Sequence, residues 1–390
     1  MVSANVSRRD LLAGVGTAGI GALLGATGSA AADERTRYNV GTASPAAEAA
    51  TRQAADRIHR ELDWGGGKKT ISAWFPETAL DGLSNRRDIR YIEEDGEMHA
   101  LQQEVPWGIE RVDATLAHDE GETGAGADIA IIDTGIDSDH EDLEANLGTG
   151  HAVVGCTEDC NCFPFACGND NACHEDWDDD NDHGTHCAGT ADAVDNDLGV
   201  VGVSTEATLH AVKVLDCEGS GSFSDIAAGI EWTADQGYDV GSMSLGGSAS
   251  STVEDAVQYA DEEGVLLVAA AGNDGSCSDC VSYPAAYPEV IAVSATDEDD
   301  NLADFSSTGP EVELAAPGVD VLSTIPEDDY EYFSGTSMAT PHVAGAGGQL
   351  MANGLSNTEA RQQLADTAED IGLDDNEQGN GLLDVAAALG

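Results

Sequence analysis

Gly335-Thr336-Ser337-Met338-Ala339-Thr340-Pro341-His342-Val343-Ala344-Gly345 is the stretch from which the rest of the chain can be read. A glycine that permits a sharp turn precedes a serine, and the small residues Ala344 to Gly348 predict a closely packed helix. The unpaired N–H groups and the positive dipole end at such a helix start favour negative charge, which is what an attacked carbonyl oxygen acquires. Pro341 is expected in the first helical turn, where its missing N–H costs nothing. Alone, Gly-Thr-Ser reads as a helix cap over a packing seam. Two distant segments change that reading.

Ala130-Ile131-Ile132-Asp133-Thr134-Gly135-Ile136-Asp137 is an apolar, β-branched run ending in a carboxylate and a glycine turn, which predicts Asp133 at the carboxyl end of a buried parallel strand. His183-Gly184-Thr185-His186-Cys187-Ala188-Gly189 places a histidine before a second small-residue helix. Asp, His and Ser in this order can supply an orienting carboxylate, a base and a nucleophile. Apolar runs at 129–132, 209–214, 266–271 and 290–293 alternate with helical patterns at 223–236 and 251–263. That alternation predicts an α/β fold, a parallel sheet covered by helices on both faces, with ligands at the carboxyl ends of its strands.

Taken together, D-T-G-I-D, H-G-T-H-C-A-G and G-T-S-M-A-T-P-H-V-A-G resemble the motifs of subtilisin-like serine proteases, the subtilases of peptidase S8 type, and the likeness runs from Gln103 to Gly390. It implies a doubly wound parallel sheet flanked by helices, preceded by a small α+β ferredoxin-like propeptide domain. It implies Asp133, His183 and Ser337 as catalytic residues, with the Asn273 amide and the Ser337 N–H as oxyanion donors. Cys187 resembles the buried free thiol of the proteinase K branch, and His186 and His342 read as packing histidines. Gly219, Ser220 and Gly221 resemble the edge on which an extended peptide pairs, and Ser244, Leu245, Gly246 and Gly247 the wall of the primary pocket. Phe223, Ile226 and Leu245 would line the pocket for the fourth residue before the cut, giving a broad apolar preference. A Ca2+ site is implied with side-chain oxygens from Gln103, Asp142 and Asn196 and carbonyls from Val194, Leu198 and Val200, a hard-oxygen set.

Arg8-Arg9 followed by an uncharged Gly/Ala-rich stretch ending in Ala30-Ala31-Ala32 reads as a twin-arginine export signal over residues 1–32, removed after export rather than kept as an anchor. Residues 33–101 read as an inhibitory propeptide, cut by the enzyme itself after Leu101, and 102–390 as the catalytic domain. Residues 1–102 hold 12 of the 15 Lys and Arg and 14 of the 74 Asp and Glu, which leaves 3 basic against 60 acidic side chains beyond. A formal net charge of -59 repels nucleic acid and at low salt strains any compact state. This balance resembles the halolysins, the subtilases of extreme halophiles.

Nine cysteines remain to be placed. Setting Cys187 aside leaves an even number, for which disulfides are the default in an exported protein, while Cys160-x-Cys162 with His174 keeps a zinc site open. Asp176-Trp177-Asp178-Asp179-Asp180 reads either as a solvated acidic face or as a weak calcium loop. The expected protein is a secreted monomeric endopeptidase acting on protein and peptide substrates, with its own propeptide as inhibitor and neither nucleic acid nor a membrane anchor as partner. The alternatives are a catalytically silent calcium- or metal-binding surface protein and a processing protease of narrow specificity.

Overall fold

The computed structural model describes residues 36–95, 103–157, 173–275 and 277–390. The twin-arginine segment, the expected cut after Leu101, and Cys160, Cys162 and Cys167 lie outside these residues. The chain divides into two compact units between His99 and Ala100.

The first unit runs β1 (Arg37–Thr42), α1 (Pro45–Ala54), β2 (Arg57–Asp63), β3 (Lys69–Trp74), α2 (Glu77–Ser84) and β4 (Ile89–Glu94). Its antiparallel sheet has the order β2-β3-β1-β4, the ferredoxin-like arrangement. Ser44 caps α1 by accepting from the Ala47 N–H, with Pro45 at the first helical position. Val40, Ala47, Ile71, Ala73, Phe75, Leu83 and Ile89 form its core. Strand β2 carries no sequence signal, because Arg-Ile-His-Arg-Glu-Leu-Asp is exposed along its whole length and is held by its ladder to β3.

The second unit continues with α3 (Trp107–Arg111), α4 (Ala114–Glu120), β5 (Asp128–Asp133), β6 (His151–Ala152), α5 (His183–Asp192), β7 (Thr208–Lys213), α6 (Phe223–Gln236), β8 (Val240–Met243) and α7 (Ser251–Glu262). It then runs β9 (Leu266–Ala270), β10 (Val290–Thr296), β11 (Val312–Pro317), β12 (Val321–Ile325), β13 (Asp329–Phe333), α8 (Thr336–Ala352), α9 (Asn357–Thr367), α10 (Asp375–Gln378) and α11 (Val385–Leu389). Seven strands form one parallel sheet in the order β11-β10-β9-β8-β5-β7-β6.

Strand β5 shows why the sequence there is apolar without alternation. Ile129 and Ile131 enter the core that includes Cys187, Ala188, Val343 and Ala344 of α5 and α8, while Ala130 and Ile132 enter the opposite core with Ile226, Ile230, Val253 and Val257 of α6 and α7. The small residues of α8 are demanded by close approach. A Cβ on Gly345 would fall 2.6 Å from the Ala191 carbonyl oxygen, and one on Gly348 would fall 2.8 Å from Ile129 Cδ1. The sheet order reverses at β5, since β7 and β6 lie on one side and β8 to β11 on the other. Such a switch point opens a crevice at the carboxyl ends of the strands, where Asp133 ends β5.

Candidate active site

Asp133 is fully buried, and its Oδ1 accepts from its neighbour's Thr134 N–H at 2.7 Å and from His183 Nδ1 at 2.7 Å. A carboxylate on Nδ1 fixes the proton on that nitrogen and leaves the Nε2 lone pair free. Burial presses the His183 imidazole toward its neutral form, but the charge and hydrogen bond of Asp133 prevail and hold its pKa above the ordinary value. His183 opens α5 behind Asp182, whose backbone is left-handed at φ 85. The strand end and the helix start are joined by Thr134 and Asp179. The Thr134 hydroxyl donates to Asp179 Oδ1 and accepts from the Gly184 N–H, and Asp179 Oδ2 takes both donors of Thr185.

Ser337 is the second residue of α8, preceded by the extended Gly335. Pro341 does not fall in the first turn as expected; it is the sixth helical residue. Its missing N–H leaves the carbonyl four residues earlier without its helical donor, and that carbonyl is Ser337's own. The Ser244 hydroxyl donates to this oxygen at 2.7 Å and the Cys187 thiol at 3.5 Å, so the proline is tolerated because side chains of other elements replace the lost bond. The Ser337 hydroxyl itself donates to the Ser244 carbonyl at 3.3 Å.

Asn273 follows β9, and its Oδ1 accepts from the Thr336 N–H and hydroxyl at 2.9 and 3.0 Å. This orients the amide so that Nδ2 faces the cavity: a Cβ on Gly335 would lie 3.7 Å from Asn273 Nδ2 and 3.6 Å from the Ser337 nitrogen, which places both donors around one point. His183, Asn273, Gly335 and Ser337 line one cavity of about 360 Å³. A hydroxyl, a base held by a carboxylate, and two N–H donors beside one space are equipped for acyl transfer. The subtilase family profile matches residues 124–381. The chain belongs to the subtilase family. It is 45% identical to an alkaline protease of Alkalihalobacillus alcalophilus over 312 residues, 79% of this chain and 76% of that protein. Subtilisin E of Bacillus subtilis is 40% identical over 322 residues, 81% of this chain and 80% of its own, and alkaline elastase YaB of a Bacillus strain is 43% identical over 312 residues, 79% and 76%. This subtilase is a serine endopeptidase.

A second cleft of about 400 Å³ reaches from His183 along the subtilase surface. Gly219, Ser220, Gly221, Phe223, Ile226, Ser244, Leu245, Gly246 and Gly247 all line it, so the structure brings these nine residues together on one cleft. Sequence reasoning missed Tyr332, Phe333 and Met338, which line the cavity beside Ser337, and Tyr283 and Pro284 on the longer cleft. The only available signal was the alternating run of β13 just before Gly335. His186 and His342 are buried; each donates a ring N–H to backbone carbonyls, His186 to Val321 and Glu331 and His342 to Met338, and burial pushes their pKa values down to about 3 and about 4.

Gln103 Nε2 donates to the carbonyls of Val194 and Val200 at 2.7 and 3.0 Å, and Asn196 Nδ2 donates to Asp142 Oδ1 at 2.9 Å. The Asn196 Oδ1 accepts from the Leu198 N–H at 2.6 Å. Two carbonyls therefore converge on the Gln103 amide nitrogen, and the buried Asp142 carboxylate lies close by on the Val200 N–H; turning the Gln103 amide over would present its oxygen, with them, to a cation. The donor set fits calcium. A Cβ on Gly199 would strike Asp142 Oδ2 at 2.4 Å, so this turn requires glycine.

The run Asp178-Asp179-Asp180 is neither a solvated face nor an open calcium loop, because all three carboxylates are buried and bonded within the protein. Asp178 accepts from the N–H groups of Ser138, His174 and Glu175, and Asp180 from Thr157 N–H and Lys213. Cys156 pairs with Cys173 and Cys277 with Cys280, Cys217 is disulfide-bonded as well, and Cys187 is free and buried. Among the described residues the one group of three His, Cys, Asp or Glu side chains close enough to share an ion is Asp133, His183 and Cys187, which is the site itself.

Proposed function

We propose that Ser337 attacks a peptide carbonyl while His183 Nε2 takes its proton, Asp133 steadies the imidazolium, and the Ser337 N–H and Asn273 Nδ2 receive the oxyanion. The imidazole then returns the proton to the leaving amine, and water repeats the sequence on the acyl-enzyme. The observation that carries this reading is the 2.7 Å bond from His183 Nδ1 to Asp133, with Ser337 and Asn273 on the wall of the same cavity. An extended peptide lies against Gly219 to Gly221, and the apolar lining from Phe223, Ile226 and Leu245 supports a broad apolar preference. Cleavage of a peptide library dominated by a single sequence would instead indicate a processing protease.

In this reading residues 1–32 direct twin-arginine export and are removed, and residues 33–101 form an inhibitory propeptide released by self-cleavage after Leu101. The mature enzyme is a secreted monomer that works in brine. Calcium held by Gln103, Asp142, Val194, Asn196, Leu198 and Val200 braces the loop after α5 and takes no part in the chemistry. Mass spectrometry of the purified precursor in molar salt tests the centre of this scheme. The wild type should lose its first 101 residues and Ser337→Ala should remain intact; a Ser337→Ala precursor that still matures removes Ser337 from the mechanism.

A further inference from the structure

Beyond residue 102 this acidic chain has three basic side chains, Arg111, Lys213 and Arg361, and Lys213 differs from the other two in being fully buried. Arg111 and Arg361 remain partly exposed on carboxylates at the surface. A leucine or methionine would fill the Lys213 site without the desolvation that an ammonium group suffers, so its retention asks for a use. All three of its donors are engaged: with Asp180 Oδ1 at 2.5 Å, the Thr134 carbonyl at 2.5 Å and the Leu215 carbonyl at 3.0 Å.

These acceptors belong to three segments of the site. Thr134 directly follows Asp133; Asp180 lies in the loop that ends at His183; Leu215 lines the long cleft. In register, Lys213 is the residue of β7 that pairs with Asp133 of β5. Thr134 is thereby gripped at both ends, its hydroxyl by Asp179 and its carbonyl by Lys213. The other oxygen of Asp180 accepts from Thr157 N–H, so the same ion pair is tied to the backbone next to the Cys156–Cys173 disulfide.

We infer that Lys213 is a positioning residue, which sets the strand end bearing Asp133 against the loop that delivers His183 by bridging the Thr134 carbonyl and Asp180. The inference rests on the Asp133–His183–Ser337 reading above. An apolar side chain could occupy the space but could donate to neither carbonyl nor carboxylate.

The test uses the full-length protein in three forms: wild type, Lys213→Met and Lys213→Met/Asp180→Asn. Melting temperature, kcat and KM on a short peptide amide, and the downfield proton resonance of the His183–Asp133 hydrogen bond are measured on each. Lys213→Met leaves a buried carboxylate unpaired and should lose both stability and kcat. The double variant, with no lone buried charge, should regain most of the melting temperature. Its kcat should nevertheless stay lower by on the order of tenfold, with KM within about twofold and a displaced proton resonance, as misplaced catalytic geometry predicts. A double variant with wild-type kcat and an unmoved resonance overturns the inference, and it remains decisive if Lys213→Met alone does not fold. Hydrolysis that survives Ser337→Ala would instead defeat the underlying mechanism, whatever Lys213 does.

Discussion

Ser337 illustrates how much of a nucleophile's setting comes from residues far away in the sequence. Its carbonyl is freed by Pro341 and recovered by the Ser244 hydroxyl at 2.7 Å, so Ser244→Ala should cost about 1 kcal/mol of stability, the usual worth of one hydrogen bond, read as a lower melting temperature. Asn273→Ala removes one of the two proposed oxyanion donors. It should lower kcat by roughly 10²- to 10³-fold with little change in KM, a magnitude taken from a subtilisin rather than worked out for this enzyme. As the proposed base His183 must be neutral, and Asp133 raises its pKa. The acidic limb of the kcat/KM profile should therefore lie above the ordinary imidazole value, and Asp133→Asn should move it down while lowering the rate.

At the scale of elements, the joints between strand ends and loops hold the site, and they are built from buried carboxylates. Asp137, just past β5, accepts from the Glu327 N–H in the turn between β12 and β13, at 3.0 Å. Burial first, and then its neighbour Asp139, hold its pKa well above the ordinary carboxylate range. A raised native pKa means the folded chain keeps this proton where the unfolded chain has lost it. The contribution to stability then falls as pH climbs from the ordinary carboxylate value through the raised one. Asp137→Asn should thus stabilise the protein by on the order of 1 kcal/mol or more near pH 8 and have no such effect near pH 4, as denaturant titrations at the two pH values would show. The loop 194–200 presents the complementary case. A chelator should lower the melting temperature and loosen this loop to proteolysis, and added Ca2+ should restore both; indifference to chelation would remove calcium from the account.

For the whole molecule the decisive quantity is charge, three basic against sixty acidic side chains beyond residue 102, with each of the three basic groups already paired. At ~0.01 M salt the Debye length is about 30 Å and the carboxylates repel across the domain; at ~1 M it is about 3 Å. Dilution of NaCl from molar to millimolar concentration should unfold and inactivate the enzyme, followed by circular dichroism and peptide hydrolysis, and full activity in dilute buffer would refute the brine reading. The sequence by itself determined the sheet, because β5, β7, β9 and β10 are buried on both faces and their apolar runs admit no other placement. It also pointed to the proposed trio of Asp133, His183 and Ser337, because each motif couples a reactive side chain to the glycine or small residues that its strand or helix end demands. Only the tertiary structure decided that Pro341 sits inside a helix, that Asp178 to Asp180 point inward, and that Lys213 is buried among carbonyls. Those outcomes depend on donors and acceptors far away in the chain, and no local pattern of hydrophobicity or charge records who a polar group's partner is.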